Sequence, residues 1–117
     1  MMPDAAELVA LLRRTRMRLG TEAALQLSIG EALTAAGIDH EREVRLSAAD
    51  RIDFMVGTIG IEAKVRYAKR AIYRQLERYA AHDGISALVL ITGTAMGLPP
   101  SIGGKPVFYV SLGRASL

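Results

Sequence analysis

The chain has 117 residues and a net charge of +3, with half its residues apolar and 23% charged. That is enough for one compact domain and too little for two. Cysteine is absent, which excludes disulfides, thiolate metal sites and cysteine nucleophiles.

An apolar run at 5–12 is broken by Glu7 and followed by Arg13 and Arg14, the reverse of a secretory signal. No apolar run is long enough to cross a membrane. These features, with the missing cysteines, suit a reducing cytoplasm. The whole chain reads as a single unit: an N-terminal helix in 1–20, a core over 21–112 and a short tail, 113–117, expected to fray.

Asp4 followed by Glu7 is a capping box, so a first helix starts there and is expected to run to about Leu19, before Gly20. Thr21 can cap a second helix ending at Ala36 and Gly37. Its residues Leu25, Ile29, Ala32, Leu33 and Ala36 share one face at helical spacing. The period then changes. Val44 and Leu46 alternate with Glu43 and Arg45, and Ile52, Phe54 and Val56 alternate with Arg51, Asp53 and Met55. After a tight turn at Gly57-Thr58, Ile59, Ile61, Ala63 and Val65 alternate with Gly60, Glu62, Lys64 and Arg66. The second and third strands therefore form a hairpin.

A third helix is expected from about Ala68 to His82, with Ala68, Ile72, Leu76 and Tyr79 as its apolar stripe. The continuous apolar run from Ala87 to Ile91 reads as a strand buried on both faces. Residues 92–106 are rich in Gly and Pro and read as a loop, with Gly103-Gly104-Lys105 a turn that lacks the spacing of a phosphate loop. A last strand is expected at 107–112. The order α-α-β-β-β-α-β-β predicts an α/β domain with a mixed sheet flanked by helices.

The hairpin carries the candidate chemistry. A two-residue turn makes Val56 face Ile59, and counting back sets Asp53 opposite Glu62. Side chains alternate, so Asp53, Glu62 and Lys64 leave the same face. Facing carboxylates repel, and a divalent cation between them removes that repulsion. One or two carboxylates, completed by water and phosphate, are what Mg²⁺ prefers. A lysine beside them can orient a water or offset charge on a phosphate. The same alternation is also what a hairpin with one solvated face shows, and a four-residue loop would instead set Lys64 opposite Asp53.

Two further polar residues favour a site. Gln75 falls inside the apolar stripe of the third helix, where a buried amide needs partners; a backbone partner would satisfy it. Glu22 projects between Ile29 and Leu33 on the buried side of the second helix, while Glu31 projects to solvent. The dipole at a helix N-terminus favours Glu22 in any case. His40 and His82 show no arrangement for acid–base chemistry. Arginines crowd 13–18 and 66–78, which suits either a solvated surface or a polyanion.

Three runs, Arg51-Ile52-Asp53-Phe54, Ile61-Glu62-Ala63-Lys64-Val65 and Arg74-Gln75-Leu76-Glu77-Arg78-Tyr79, resemble the PD-(D/E)xK nuclease superfamily. Ile52 stands where the motif's name carries proline. The resemblance spans residues 21–92 and includes Holliday-junction-resolvase-like and virus-type replication-repair nuclease domains. It implies a restriction-endonuclease-like core and Mg²⁺- or Mn²⁺-dependent hydrolysis of DNA, with RNA less favoured. It further implies that Asp53, Glu62 and the Ala63 carbonyl hold the metal, with Glu22 assisting. Lys64 positions or activates the water, and Gln75 joins the site. Arg66, Lys69, Arg70, Arg74 and Arg78 are the candidate phosphate contacts. So small a nuclease is expected to work as a homodimer or as a subunit of a larger complex. The competing class is a non-catalytic nuclease-fold module for DNA binding or assembly.

Overall fold

A computed structural model of the chain describes residues 2–112. The tail 113–117 lies outside them. The elements run α1 (Ala5–Arg14), α2 (Glu22–Ala35), β1 (Glu41–Arg45), β2 (Arg51–Val56), β3 (Ile59–Lys64), α3 (Lys69–Ala80), β4 (Ala87–Thr92), β5 (Ser101–Ile102) and β6 (Lys105–Ser111). The strands form one mixed sheet in the order β1-β2-β3-β4-β6-β5. β1, β2 and β3 pair antiparallel, and β3, β4 and β6 pair parallel.

Helices cover both faces. On one, α1 and α2 bury Leu8, Leu12, Leu25, Ile29 and Leu33 against Phe54, Val56, Ile61, Ala63, Val89 and Ile91. On the other, α3 buries Ile72, Leu76 and Tyr79 against Ile52, Leu88, Leu90, Ile102 and Val107. No described helix is long and apolar enough to cross a membrane.

Both expected N-caps are present. Asp4 and Glu7 exchange bonds of 2.8 and 3.0 Å, and Thr21 Oγ1 accepts from the Ala24 N–H at 3.1 Å. Gly37, at φ 70°, ends α2 and lets the Ile38 N–H reach the Leu33 carbonyl at 2.9 Å.

Two element readings need correction. First, α1 stops at Arg14, not at Leu19. Its buried stripe of Leu8, Val9 and Leu12 would continue onto Thr15 and Arg16. Leaving the helix at Thr15 spares burial of an arginine and lets Met17 pack on the core. Second, the loop after β4 contains a strand. β5 turns through Gly103 and Gly104, both at positive φ, into β6, which begins at Lys105 instead of Val107. Two left-handed central residues are what a tight two-residue hairpin requires.

Candidate functional site

The site lies where the β2–β3 hairpin comes apart. The pairs Val56↔Ile59, Met55↔Gly60 and Phe54↔Ile61 realise the two-residue turn, and continuing that register sets Asp53 opposite Glu62. There the carboxylates replace the ladder. Asp53 Oδ2 accepts from the Ala63 N–H at 2.8 Å, and Glu62 Oε1 accepts from the Asp53 N–H at 3.2 Å. Each side chain thus satisfies a backbone donor that the splayed strands leave open. N–H and C=O of one strand residue point toward the same neighbour, so the Ala63 carbonyl faces this split as well.

A distortion in β1 and β2 accompanies the split. Ile52 packs under α3, whereas Phe54, two residues on, packs under α1 and α2. Simple alternation would place both on one face. The strand therefore rolls over at Asp53. Its neighbour across β1, between the pairs Arg42↔Phe54 and Val44↔Ile52, is Glu43, at φ 51°. A non-glycine residue in that region is uncommon and marks a locally imposed backbone.

Glu62 and Lys64 do not lie on a wet face. Glu62 is 2% exposed and Lys64 7%; Tyr79 of α3 lies by Glu62, and the Tyr67 ring lies against Lys64. Lys64 Nζ forms an ion pair with Glu62 Oε2 at 3.2 Å and lies 3.9 Å from Glu22 Oε1. It also sits 4.2 Å from the centroid of the Tyr67 ring. Asp53 and Glu22 are half-buried. Asp53, Glu62, Lys64 and Glu22 are thus brought together from β2, β3 and the first turn of α2.

The electrostatics are strained. Burial, and then the charge of Asp53, push the Glu62 carboxyl up to about 7 against the pull of Lys64. Burial raises Asp53 too, opposed by the Ala63 N–H and by Lys64 and Arg42. Burial raises Glu22, with Lys64 opposing and Asp53 reinforcing. The Tyr79 hydroxyl, which donates to the Arg51 carbonyl at 3.0 Å, is driven up by burial and then by the charges of Glu62 and Asp53. A buried carboxylate pair that resists ionising is the arrangement a hard cation relieves.

The donor set fits such a cation in type: two carboxylates and a carbonyl, all oxygen. Among the described residues, however, no three His, Asp or Glu side chains gather closely enough to enclose a metal ion. Two carboxylates with water and phosphate completing the shell suffice for Mg²⁺.

Gln75 is half-buried on α3, and no hydrogen bond joins it to Asp53, Glu62 or Lys64. Arg66, Lys69, Arg70 and Arg74 are exposed and without ion pairs among the described residues. Arg78 is engaged elsewhere, donating from Nε to the buried Asp50 at 3.0 Å. Asp50 also takes His82 Nε2 at 3.3 Å. α3 opens without a side-chain cap and with Lys69 and Arg70 in its first turn, where the dipole favours acids. Its amino end is therefore an anion-attracting corner.

Sequence reasoning missed Tyr67 and the buried Asp50 with its partners Arg78 and His82. Tyr79 was assigned only to the apolar stripe, although a buried tyrosine hydroxyl demands a partner. No family model, curated protein or solved structure matches this chain.

Proposed function

We propose that the protein is a Mg²⁺- or Mn²⁺-dependent nuclease of the PD-(D/E)xK type that hydrolyses DNA phosphodiester bonds. The observation that carries this reading is the buried Glu62–Lys64 pair set against Asp53 across a split hairpin. A charged trio at the end of a sheet, two members of it almost without solvent contact, is costly to keep without a task.

Asp53, Glu62 and the Ala63 carbonyl would hold the cation. When bound, it would neutralise the phosphate and make a coordinated water more acidic. Every other part falls to the chain. Asp53 and Glu62 are fixed in place by the backbone N–H groups they accept. Lys64, held between Glu62 and Glu22, donates toward the attacking water or the scissile phosphate. Glu22 keeps the Lys64 ammonium turned toward the site. Arg66, Lys69, Arg70 and Arg74 grip the flanking phosphates in a salt-dependent, sequence-independent way. Water oxygen bonds to phosphorus, the bond from phosphorus to the leaving oxygen breaks, and a water proton reaches that oxygen through solvent.

DNA is favoured over RNA by the resemblance; the small size of the chain favours a homodimer or a subunit of a larger complex, and the absence of cysteine suits the cytoplasm. The test is cleavage of labelled DNA with Mg²⁺, Mn²⁺ or EDTA. Cutting by the parent that EDTA stops, and that Asp53→Ala and Lys64→Ala abolish, supports the reading. DNA binding without any cutting would instead favour a non-catalytic module.

A further inference from the structure

A groove of about 400 Å³ lies beside the site, at the carboxyl ends of β3, β4 and β6. That volume is within the range of clefts that seat small planar ligands, about 300–1,000 Å³. Leu19, Val65, Ala95 and Leu112 make its apolar lining, Arg66 is its one charged residue, and no acid lines it. Val65 and Arg66 directly follow Lys64, so the groove adjoins the proposed scissile position.

Tyr67 links groove and site. Its ring lies over Lys64 Nζ, yet the residue is 46% exposed, one of few large apolar side chains left open. Its carbonyl accepts from Thr94 Oγ1 at 3.2 Å, and the Thr94 carbonyl accepts from the Tyr109 hydroxyl at 2.7 Å. Thr94 lies between Gly93 and Ala95, two residues of the groove wall. These bonds tie the Tyr67 backbone to the groove wall. One ring face rests on the lysine, and nearly half of the residue stays open to solvent.

A half-exposed aromatic ring and a groove with Arg66 as its one charged lining residue have a specific complement. Continuous duplex offers phosphates but hides its base faces in the stack. An unpaired nucleotide offers a phosphate together with a free π-face. We infer that Tyr67 and the Leu19–Val65–Arg66 groove take an unpaired base next to the scissile phosphate, so that the substrate is single-stranded DNA and not continuous duplex. This rests on the nuclease reading of Asp53, Glu62 and Lys64 for where the scissile phosphate sits.

Binding in EDTA tests it apart from cleavage. Fluorescence anisotropy is measured with one labelled oligonucleotide, single-stranded and annealed to its complement, for the parent and for Tyr67→Phe, Tyr67→Leu and Tyr67→Ala. The parent binds the single strand more tightly than the duplex. Tyr67→Phe retains this preference, because the ring suffices. Tyr67→Ala and Tyr67→Leu lose roughly five- to 150-fold on the single strand, equivalent to about 1–3 kcal/mol of base stacking, and keep the parent's duplex affinity. Tyr67→Leu still covers Lys64 with an apolar side chain, so its loss reports the missing π-face. Equal binding of both forms by the parent, or single-strand binding by Tyr67→Leu that matches the parent, overturns the inference. Cleavage with Mg²⁺ is scored separately. A protein that cuts but ignores Tyr67 keeps the nuclease reading alone. One that prefers single strands through Tyr67 without cutting keeps the base site and refutes the nuclease.

Discussion

Replacing Glu62 by Gln should make the cation-free protein less sensitive to alkali while destroying its chemistry. The Glu62 carboxyl is pushed from an ordinary value of 4.5 up to about 7. The folded state therefore holds a proton that the unfolded chain releases, and stability falls as pH rises from about 4.5 to about 7. At 1.36 kcal/mol per pH unit, the two units between pH 5 and pH 7 correspond to about 3 kcal/mol. Gln does not titrate, so the stability difference between parent and Glu62→Gln should change by about that amount from pH 5 to pH 8. The comparison is insensitive to the constant cost of the amide, whose oxygen carries no charge to pair with Lys64. Urea melts in EDTA across this range read the effect directly. On the thermal scale it is on the order of 10 °C for a domain of this size. Millimolar Mg²⁺ should restore much of the parent's lost stability at pH 8 and do little for Glu62→Gln. Stability curves that stay parallel from pH 5 to pH 8 would refute the reasoning, since Glu62 would then ionise without cost.

Other perturbations have defined outcomes. Gly60→Ala places a methyl against Ile52, with Leu88 at 3.1 Å and Ile85 at 3.2 Å; it should cost about 1–3 kcal/mol in urea melts. Asp50 is held below the usual carboxylate range by Arg78 and then His82. Its contribution is present above about pH 4 and lost as pH falls through the lowered value, so Asp50→Asn should be destabilised at neutral pH and lose less on acidification. Glu22→Gln removes a partner of Lys64 at 3.9 Å; it should slow single-turnover cleavage by about 10- to 100-fold with little change in DNA affinity.

The hairpin was legible because a two-residue Gly57-Thr58 turn fixes register, and register alone sets Asp53 across from Glu62. The helix caps were legible for a similar reason, since Asp4, Thr21 and Gly37 act on their own neighbours. Whether Glu62 and Lys64 were wet or buried was not legible. Alternation says that two faces differ, but the neighbours of Glu62 and Lys64 are Tyr79 on α3, the Tyr67 ring and Glu22 on α2, none of them on the hairpin. The roll of β2 between Ile52 and Phe54 was equally hidden, because the left-handed Glu43 on another strand accompanies it. β5 escaped because two residues carry no period. Tyr67 escaped because its significance lies in what its ring covers. Gln75 was singled out by helical projection, which gives a face but not a partner.

The claim that matters most is that Asp53, Glu62 and Lys64 cut DNA with a divalent cation. Single-turnover cleavage of end-labelled DNA by the parent and by Lys64→Ala, with Mg²⁺ and with EDTA, tests it most directly. The parent should cut only with the cation, and Lys64→Ala should bind DNA in the same preparation without cutting it. Cleavage that survives EDTA, or a Lys64→Ala protein that cuts at the parent's rate, would contradict it.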